Sequence, residues 1–265
     1  MARALLLLGV LLLAQPCAAA VAHVKSDQGF CTGSTSGGNI SGTCSNVATK
    51  TFTFTATTTN DAVLILVGCS GSATETTISL SATGWTFTQV GSITGSTGSS
   101  GWAAAFKAYA PNTSAATITQ TWSNSCQTGA ATFINDLIDE FSGMDGTNFV
   151  DVNNSATANS TTSCNNVSVT PSVDNDGLWA ACNDNQTAAA AGWTKGADDT
   201  QSDIAVYKIL SGGSGASQSP GFSSSTGTSY VTFLVGIKPA GGGGGGCTAA
   251  PGLMLTMGVG NCKGH

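Results

Sequence analysis

The sequence is nearly without basic charge. Its single arginine is Arg3, and beyond residue 20 there are seven lysines against fourteen acidic groups, a net charge of -7. Nucleic-acid binding needs clustered cations to neutralise phosphates, and the lysines at 25, 50, 107, 195, 208, 238 and 263 are scattered, which sets that function aside. Histidine is equally scarce: His23 and His265 stand near the two ends, and no Cys-x-x-Cys pair occurs, so a structural zinc site lacks ligands. A Ser-His-Asp arrangement is hard to build, because neither histidine falls in the strand framework and there is no Gly-x-Ser-x-Gly elbow. No apolar run reaches the roughly 20 residues needed to span a bilayer. Only 8% of residues are charged, and Thr, Ser, Gly, Asn and Ala take their place. That balance suits a β-rich extracellular module with a hydroxyl and amide surface. Disorder competes for such a composition, and the apolar strand runs below argue against it.

Arg3, the apolar run from Ala4 to Ala14 and the small residues Ala18, Ala19 and Ala20 read as a secretory signal peptide over 1–20. Cleavage is expected after Ala20, with Ala22 as the alternative. Lipidation at Cys17 is disfavoured because Pro16 stands where a small residue should precede the modified cysteine. The expectation is a secreted, soluble protein with no membrane span. The remaining cysteines are 31, 44, 69, 126, 164, 182, 247 and 262, and an even count in an exported chain favours disulfides over metal ligation.

The fold expected is all-β. Residues 21–46, rich in Gly, Ser and Thr, read as an irregular N-terminal segment. Thr51 to Thr57 alternates with period two, with Phe52, Phe54 and Ala56 on one face and threonines on the other. A threonine ladder can bind ice or sugar, but a half-buried strand with a solvated outer face is the simpler reading. Ala62 to Val67 is a continuous apolar run that fits a buried strand. Further strands are expected over Thr76 to Leu80, Trp85 to Val90, Trp102 to Tyr109 and Ala116 to Trp122, separated by turn residues. Phe133 to Phe141 has Phe133, Leu137 and Phe141 at helical spacing, but a lone helix among so many short strands would be out of place, which decides for strand.

The second half restates the first in shortened form. Cys44-Ser-Asn-Val47 is echoed by Cys164-Asn-Asn-Val167, Asn60-Asp-Ala-Val-Leu64 by Asn175-Asp-Gly-Leu-Trp179, and Cys69 by Cys182. Gly84-Trp-Thr86 returns as Gly192-Trp-Thr194, Ala103 to Lys107 as Ile204 to Lys208, and the Phe133 to Phe141 run as Val231 to Ile237. The connection from Gly143 to Thr162 is polar and reads as a surface crossover within one sandwich. An antiparallel two-sheet β-sandwich over 47–240, jelly-roll-like and with an internal pseudo-repeat, is therefore expected. A flexible glycine linker follows at 241–246, and then a tail over 247–265 bounded by Cys247 and Cys262. That tail reads as a disulfide-closed hairpin or docked segment, or as a site of self-association. If the strands Val47 to Thr57 and Val63 to Val67 paired as a hairpin, Cys44 would come towards Cys69 and, in the second copy, Cys164 towards Cys182. Cys247 to Cys262 and Cys31 to Cys126 would complete the set, with Cys31 to Cys44 as a rival favoured by short loop closure.

Glu140-Phe-Ser-Gly-Met-Asp145, together with Asn60-Asp-Ala-Val-Leu64, the Gly-Trp-Thr turns and Leu234-Val-Gly-Ile-Lys238, resembles a loosely defined family of bacterial and phage-associated secreted β-sandwich modules. Their corresponding motif looks like Glu-Tyr-Ser-Gly-Leu-Asp. The resemblance covers roughly residues 47 to 240 and implies a jelly-roll-like sandwich with no assigned activity. Such modules often accompany immunoglobulin-like, fibronectin-like or carbohydrate-active domains, which implies adhesion or glycan binding by association.

Three functions are carried forward. The first is a non-catalytic binding or adhesion module for a glycan or cell surface. Sugar sites stack pyranose rings on Trp or Tyr, and Trp85 and Trp193 in their Gly-Trp-Thr turns are the candidates, with Glu140 and Asp145 as candidate polar partners. Trp102, Trp122 and Trp179 are expected in the core. The second is a structural or assembly component of an extracellular or phage-associated particle. The third is a glycoside hydrolase, which needs two carboxyl groups about 5–10 Å apart. Glu140 at the mouth of the sandwich, beside Asp136, Asp139 and Asp145, would serve as acid or base; its simpler role is to hydrogen-bond the Ser-Gly turn that follows it. Asp174-Asn-Asp-Gly177 resembles the start of a calcium loop, but the twelfth position is Asn185 where an EF-hand has glutamate. An Asp-Gly turn is the plainer reading, with a structural calcium on Asp174 and Asp176, joined by Asp145 or Asp151, as the minority one. Sequons occur at Asn39, Asn112 and Asn185.

Overall fold

A computed structural model describes residues 20–32, 35–38, 40–41, 49–70, 75–95, 101–124, 133–159, 164–183, 186–198, 203–225 and 229–241. The expected signal peptide before Ala20, the tail at 247–265, nearly all of the glycine linker, and Cys44, Cys126, Cys247 and Cys262 lie outside them, as do the side chains of Cys31 and Cys69. Among the described residues there is no helix. Those of the first half form β1 (Ala22–Thr32), β2 (Thr35–Gly38), β3 (Ile40–Ser41), β4 (Thr49–Phe54), β5 (Ala62–Ser70), β6 (Ile78–Ser81), β7 (Thr88–Gly95), β8 (Gly101–Tyr109), β9 (Ala116–Trp122) and β10 (Phe133–Ser142). Those of the second half form β11 (Val150–Asn159), β12 (Gly177–Asn183), β13 (Gln186–Ala189), β14 (Thr194–Asp198), β15 (Asp203–Ile209), β16 (Phe222–Ser225) and β17 (Ser229–Ile237). Every named pairing is antiparallel.

The all-β, antiparallel architecture is as the sequence implies, but four sheets are present where two were expected. The first half has a large sheet, β2-β1-β10-β5-β8-β7, and a small one, β3-β4-β9-β6. The second half has a large sheet, β11-β17-β12-β15-β14, a small one, β13-β16, and an isolated bridge between Val169 and Gln218. Strand for strand, β1-β10-β5-β8-β7 and β11-β17-β12-β15-β14 have the same order, so the internal repeat is a duplication of topology. Matching backbone conformations mark the same places: Asn60 and Asn175 both lie at positive φ (68° and 63°), as do Gly84 and Gly192 (80° and 82°).

The continuous apolar runs follow from this layering. In β5, Val63, Ile65 and Val67 face the first small sheet with Phe52, Phe54 and Ile118. Its alternate residues Ala62, Leu64 and Leu66 face the second large sheet with Trp179, Phe233 and Val235. In β12, Trp179 and Ala181 face the first half while Leu178, Ala180 and Cys182 pack towards Phe222 of the second small sheet. A strand covered on both faces must be apolar throughout, because period-two alternation has no solvent side to serve.

Several expectations change. The N-terminal segment is not irregular: β1 pairs with β10 along its length, from Ala22 opposite Ser142 to Thr32 opposite Phe133. The polar stretch from Gly143 to Thr162 holds β11, an edge strand, rather than only a crossover. An edge strand needs little apolar patterning, which is why it reads as a loop. The strands β4 and β5 are not a hairpin, since β4 bonds β3 and β9 in the other sheet. The Cys164–Cys182 disulfide forms nevertheless, with Cα atoms 6.1 Å apart; it ties β12 to the chain segment ahead of Val167. Two echoes shift in register. Lys107 lies opposite Leu64 and Tyr207 opposite Trp179, so the counterpart of Lys107 is Tyr207 and not Lys208. By the same register Cys182 answers to Val67, two residues before Cys69.

Candidate functional site: the grooves beside the Gly84 turn

The Ala82-Thr-Gly-Trp85 turn closes through Trp85 N–H donating to Ala82 O at 3.2 Å. Gly84 takes the positive φ that the third position of a type II turn demands. The turn separates two grooves. One, of about 360 Å3, is lined by Thr83, Trp85, Asn112, Ser114 and Thr117. The other, of about 440 Å3, is lined by residues that include Asn60, Thr86, Thr88, Lys107, Tyr109, Thr147 and Phe149.

The larger groove is built by elements distant in sequence. Thr88, Lys107 and Tyr109 come from β7 and β8, where Thr88 pairs with Lys107. Thr147 and Phe149 are delivered by the turn after β10, which Asp145 holds. Its Oδ1 accepts from Thr147 N at 2.8 Å, Thr147 Oγ1 at 2.6 Å and Asn148 N at 3.1 Å, and Oδ2 pairs with Lys238 Nζ at 3.3 Å. These donors, Thr147 first, hold the Asp145 carboxyl well below the ordinary carboxylate range. Asp145 thus shapes the groove and offers no free carboxylate to it. Tyr109 packs edge-on to Phe149 (5.1 Å, 84°) and donates its hydroxyl to Asp145 O at 2.5 Å. Burial pushes the Tyr109 phenol up and the Lys107 ammonium down. Lys107 Nζ donates to Asn148 Oδ1 at 2.6 Å and stands 5.7 Å from the Phe149 ring. The groove therefore combines a half-buried cation, a partly exposed tyrosine and three threonine hydroxyls.

The two turn tryptophans differ in exposure, Trp85 being buried and Trp193 partly exposed. Trp85 is only 8% exposed, stacked on Phe87 (5.6 Å, 7°) and edge-on to Phe54. Trp193 sits in the equivalent turn, bonded to Ala190 O at 3.0 Å, and lies so close over Gly221 that a Cβ there would collide with the indole. Trp122 and Trp179 are in the core as expected, and Trp102 is half-buried against it.

Glu140 is not at the mouth of a sandwich and does not bond its own Ser-Gly turn. It is fully buried and accepts from Thr57 N at 2.7 Å, Thr57 Oγ1 at 3.0 Å and Thr58 N at 3.2 Å. Its buried neighbour is Asp61. Asp139 is likewise buried, as is Asp136, whose Oδ1 has no partner. Of the calcium candidates, Asp174 accepts from Ser214 N at 2.9 Å, and Asp176 is buried with Asp151 beside it and Asp174 nearby. Among the described residues no group of three or more His, Cys, Asp or Glu is arranged to hold a metal ion.

His23 belongs to the strand framework after all, on β1. Its Nε2 lies 2.9 Å from Asp139 Oδ1 and 3.1 Å from Ser26 Oγ. Ser26 Oγ itself donates to the same Asp139 oxygen at 2.5 Å. A nucleophilic relay places the imidazole between hydroxyl and carboxylate, one nitrogen to each; here one nitrogen faces both, and the serine proton is already committed to the aspartate. The larger groove, the Asp61–Glu140 contact and the His23–Asp139 contact were all missed from sequence. The one available signal was the repeated Asn-Asp at Asn60-Asp61 and Asn175-Asp176.

Comparison of the chain with models of known families, with curated proteins and with solved structures gives no match.

Proposed function

We propose that this is an exported, non-catalytic binding module whose ligand is a glycan seated in the groove between the Gly84 turn and the Asp145 turn. The observation that carries this reading is the lining of that groove of about 440 Å3, to which Tyr109, Thr86, Thr88, Thr147 and Lys107 all contribute. A pyranose asks for an aromatic or apolar surface under its C–H face and hydroxyl or amide partners around its rim. The cation favours a sugar carrying a carboxylate or sulfate, since Lys107 is an isolated positive group in an acidic chain. The resemblance of the Glu140 to Asp145 motif to secreted sandwich modules points the same way, and we read the placement of β1 beside β10 as a jelly-roll variant. Export through residues 1–20 fits the packing of Val21, which is 2% exposed in the core and which cleavage after Ala22 would remove. Glu140, sealed against Thr57 and Thr58, is not part of this site.

The test is a broad array of neutral and acidic glycans probed with the exported protein, repeated with Lys107→Met. Saturable binding that falls about 10- to 100-fold in the variant is expected, the range for losing a hydrogen bond to a charged group. An array without signal, or binding untouched by Lys107→Met, would remove the proposal.

A further inference from the structure

The two halves share a feature at the Asn-Asp turns that lead into β5 and β12. Just ahead of β5, Asp61 follows the left-handed Asn60; just ahead of β12, Asp176 follows the left-handed Asn175. Both aspartates fix the chain in the same way, their carbonyls accepting from Ala110 N and Leu210 N at 2.9 Å. Both side chains are buried, at 5% and 0% exposure, and Asp61 Oδ2 and both carboxyl oxygens of Asp176 lack any donor. Each faces a second carboxyl group, Glu140 for Asp61 and Asp151 for Asp176.

That second group does the same work in both halves. Glu140 accepts from the N–H and hydroxyl of Thr57, three residues before Asn60. Asp151 accepts from Ser172 N at 2.6 Å and from the Ser172 hydroxyl, and Ser172 stands three residues before Asn175. The two carboxylates arrive from different strands. Phe141 lies opposite Ala62 and Ile237 opposite Gly177, so the counterpart of Glu140 is Gly236. A Cβ at Gly236 would meet Val152 at 2.9 Å and Asp176 Oδ2 at 3.5 Å, and Asp151 on β11 fills the role instead. The same contact has thus been reached twice by different residues.

Two carboxylates are both acceptors, and a buried pair cannot hydrogen-bond until one carries a proton. The orphaned oxygens and the facing carboxylates are two signs of one missing hydrogen. We propose that Asp61–Glu140 and Asp176–Asp151 are proton-sharing carboxyl pairs that latch the loops ahead of β5 and β12, so that the molecule is fastened by acid and loosened as the pH rises. The other charged groups at these places are few. Lys25 reaches from β1 to Thr55 O beside the first pair. Asp174 and Lys238 flank the second, the lysine opposing the proton and the aspartate favouring it.

The direction of titration agrees. Burial, then the hydrogen bond and charge of Glu140, push Asp61 up to about 6. Burial, then Asp151, push Asp176 up to about 8. Both exceed the ordinary aspartate value of about 4 that applies in the unfolded chain. The folded state therefore holds more protons than the unfolded one between those values. Its stabilisation is complete below about pH 4 and is lost as the pH rises, through about 6 for Asp61 and about 8 for Asp176.

The experiment is thermal unfolding of the full chain from pH 4.5 to 8.5, for the natural sequence and for Asp61→Asn with Asp176→Asn. An asparagine amide donates permanently to the facing carboxylate, so it imitates the protonated acid at every pH. The natural protein should lose melting temperature steadily across this range, and the double variant should lose less than half as much. A melting temperature that is flat or rises with pH, or an equal fall in both proteins, would overturn the proposal. Should the variant not fold, hydrogen exchange on the natural protein decides. Protection of the Thr57, Thr58 and Ser172 amides, corrected for intrinsic rate, should drop between pH 5 and 8 while that of Leu64 in β5 holds. Equal change at all four sites would sink the idea.

Discussion

Asp139 has no solvent exposure, yet it binds four partners: the Ser26 hydroxyl, His23 Nε2, Trp179 Nε1 at 2.7 Å and Ala197 N at 3.2 Å. They come from β1, β12 and β14, so this one carboxylate ties the first large sheet to the second. Gly196 leaves the space it needs, because a Cβ there would come within 2.8 Å of Asp139 Oδ1. A buried charge is tolerable only when its acceptors are saturated, and here they are. Asp139→Ala removes both acceptor oxygens and leaves the buried Trp179 Nε1–H and Ala197 N–H without a partner. The expected cost is about 3–5 kcal/mol, the range for breaking a buried charged network, measured by denaturant unfolding. Ser26→Ala should cost only about 1 kcal/mol, the ordinary worth of a single hydrogen bond. If the two variants proved equally mild, the carboxylate would not be the tie described. None of this was legible in the sequence. Asp136, Asp139 and Glu140 read there as one acidic group. In a strand, though, Asp136 and Glu140 share a face with Ile138, while Asp139 points the other way with Leu137 and Phe141.

At the scale of the elements, legibility tracked burial. The strands with an apolar face or an apolar run, β4, β5, β8, β9 and β17, lie where their patterning placed them, and β10 is a strand despite its helical spacing. The polar strands β1 and β11 were missed, because hydrophobic periodicity reports what a strand packs against and not what it hydrogen-bonds to. The slip between Lys208 and Tyr207 has a related cause. Matching Lys to Lys is natural in a string, but a one-residue change of register turns every side chain to the other face, and only the ladder fixes which face is which. The disulfide was found from the repeat although the pairing argument behind it was wrong. Cys164 and Cys182 belong to one packing cluster with Val167, Leu178 and Phe222, in the half whose small sheet is reduced to β13-β16 and one bridge. The bond spans 18 residues, and closing a loop of that order removes about 3 kcal/mol of unfolded-chain entropy. Replacing both cysteines with alanine should therefore lower the melting temperature by about 6–12 °C, at roughly 2–4 °C per kcal/mol for a chain of this size. A loss under about 2 °C would mean that the small sheet holds without its covalent tie.

In the whole molecule, the two halves are not two independent domains joined by a crossover. The cluster between the large sheets draws Leu64, Leu66, Leu137 and Phe141 from the first half and Trp179, Phe233, Val235 and Ile237 from the second, all of them buried. Val21, just ahead of β1, packs against Gly177 and Ile237 of the other half. A fragment covering residues 20–149 would keep its own small sheet but expose the opposite apolar face of β5, β8 and β10. Contiguous patches of that kind drive association rather than stable monomers. The full chain should accordingly melt in one calorimetric transition whose van't Hoff and calorimetric enthalpies agree, and the 20–149 fragment should be aggregated or loosely packed at the same temperature and pH. Adding residues 150–241 in trans should recover soluble complex, since the missing face is then supplied. Two separated transitions in the full chain, or a monodisperse folded fragment, would show instead that each half closes its own core and that the central cluster is only a contact between finished domains.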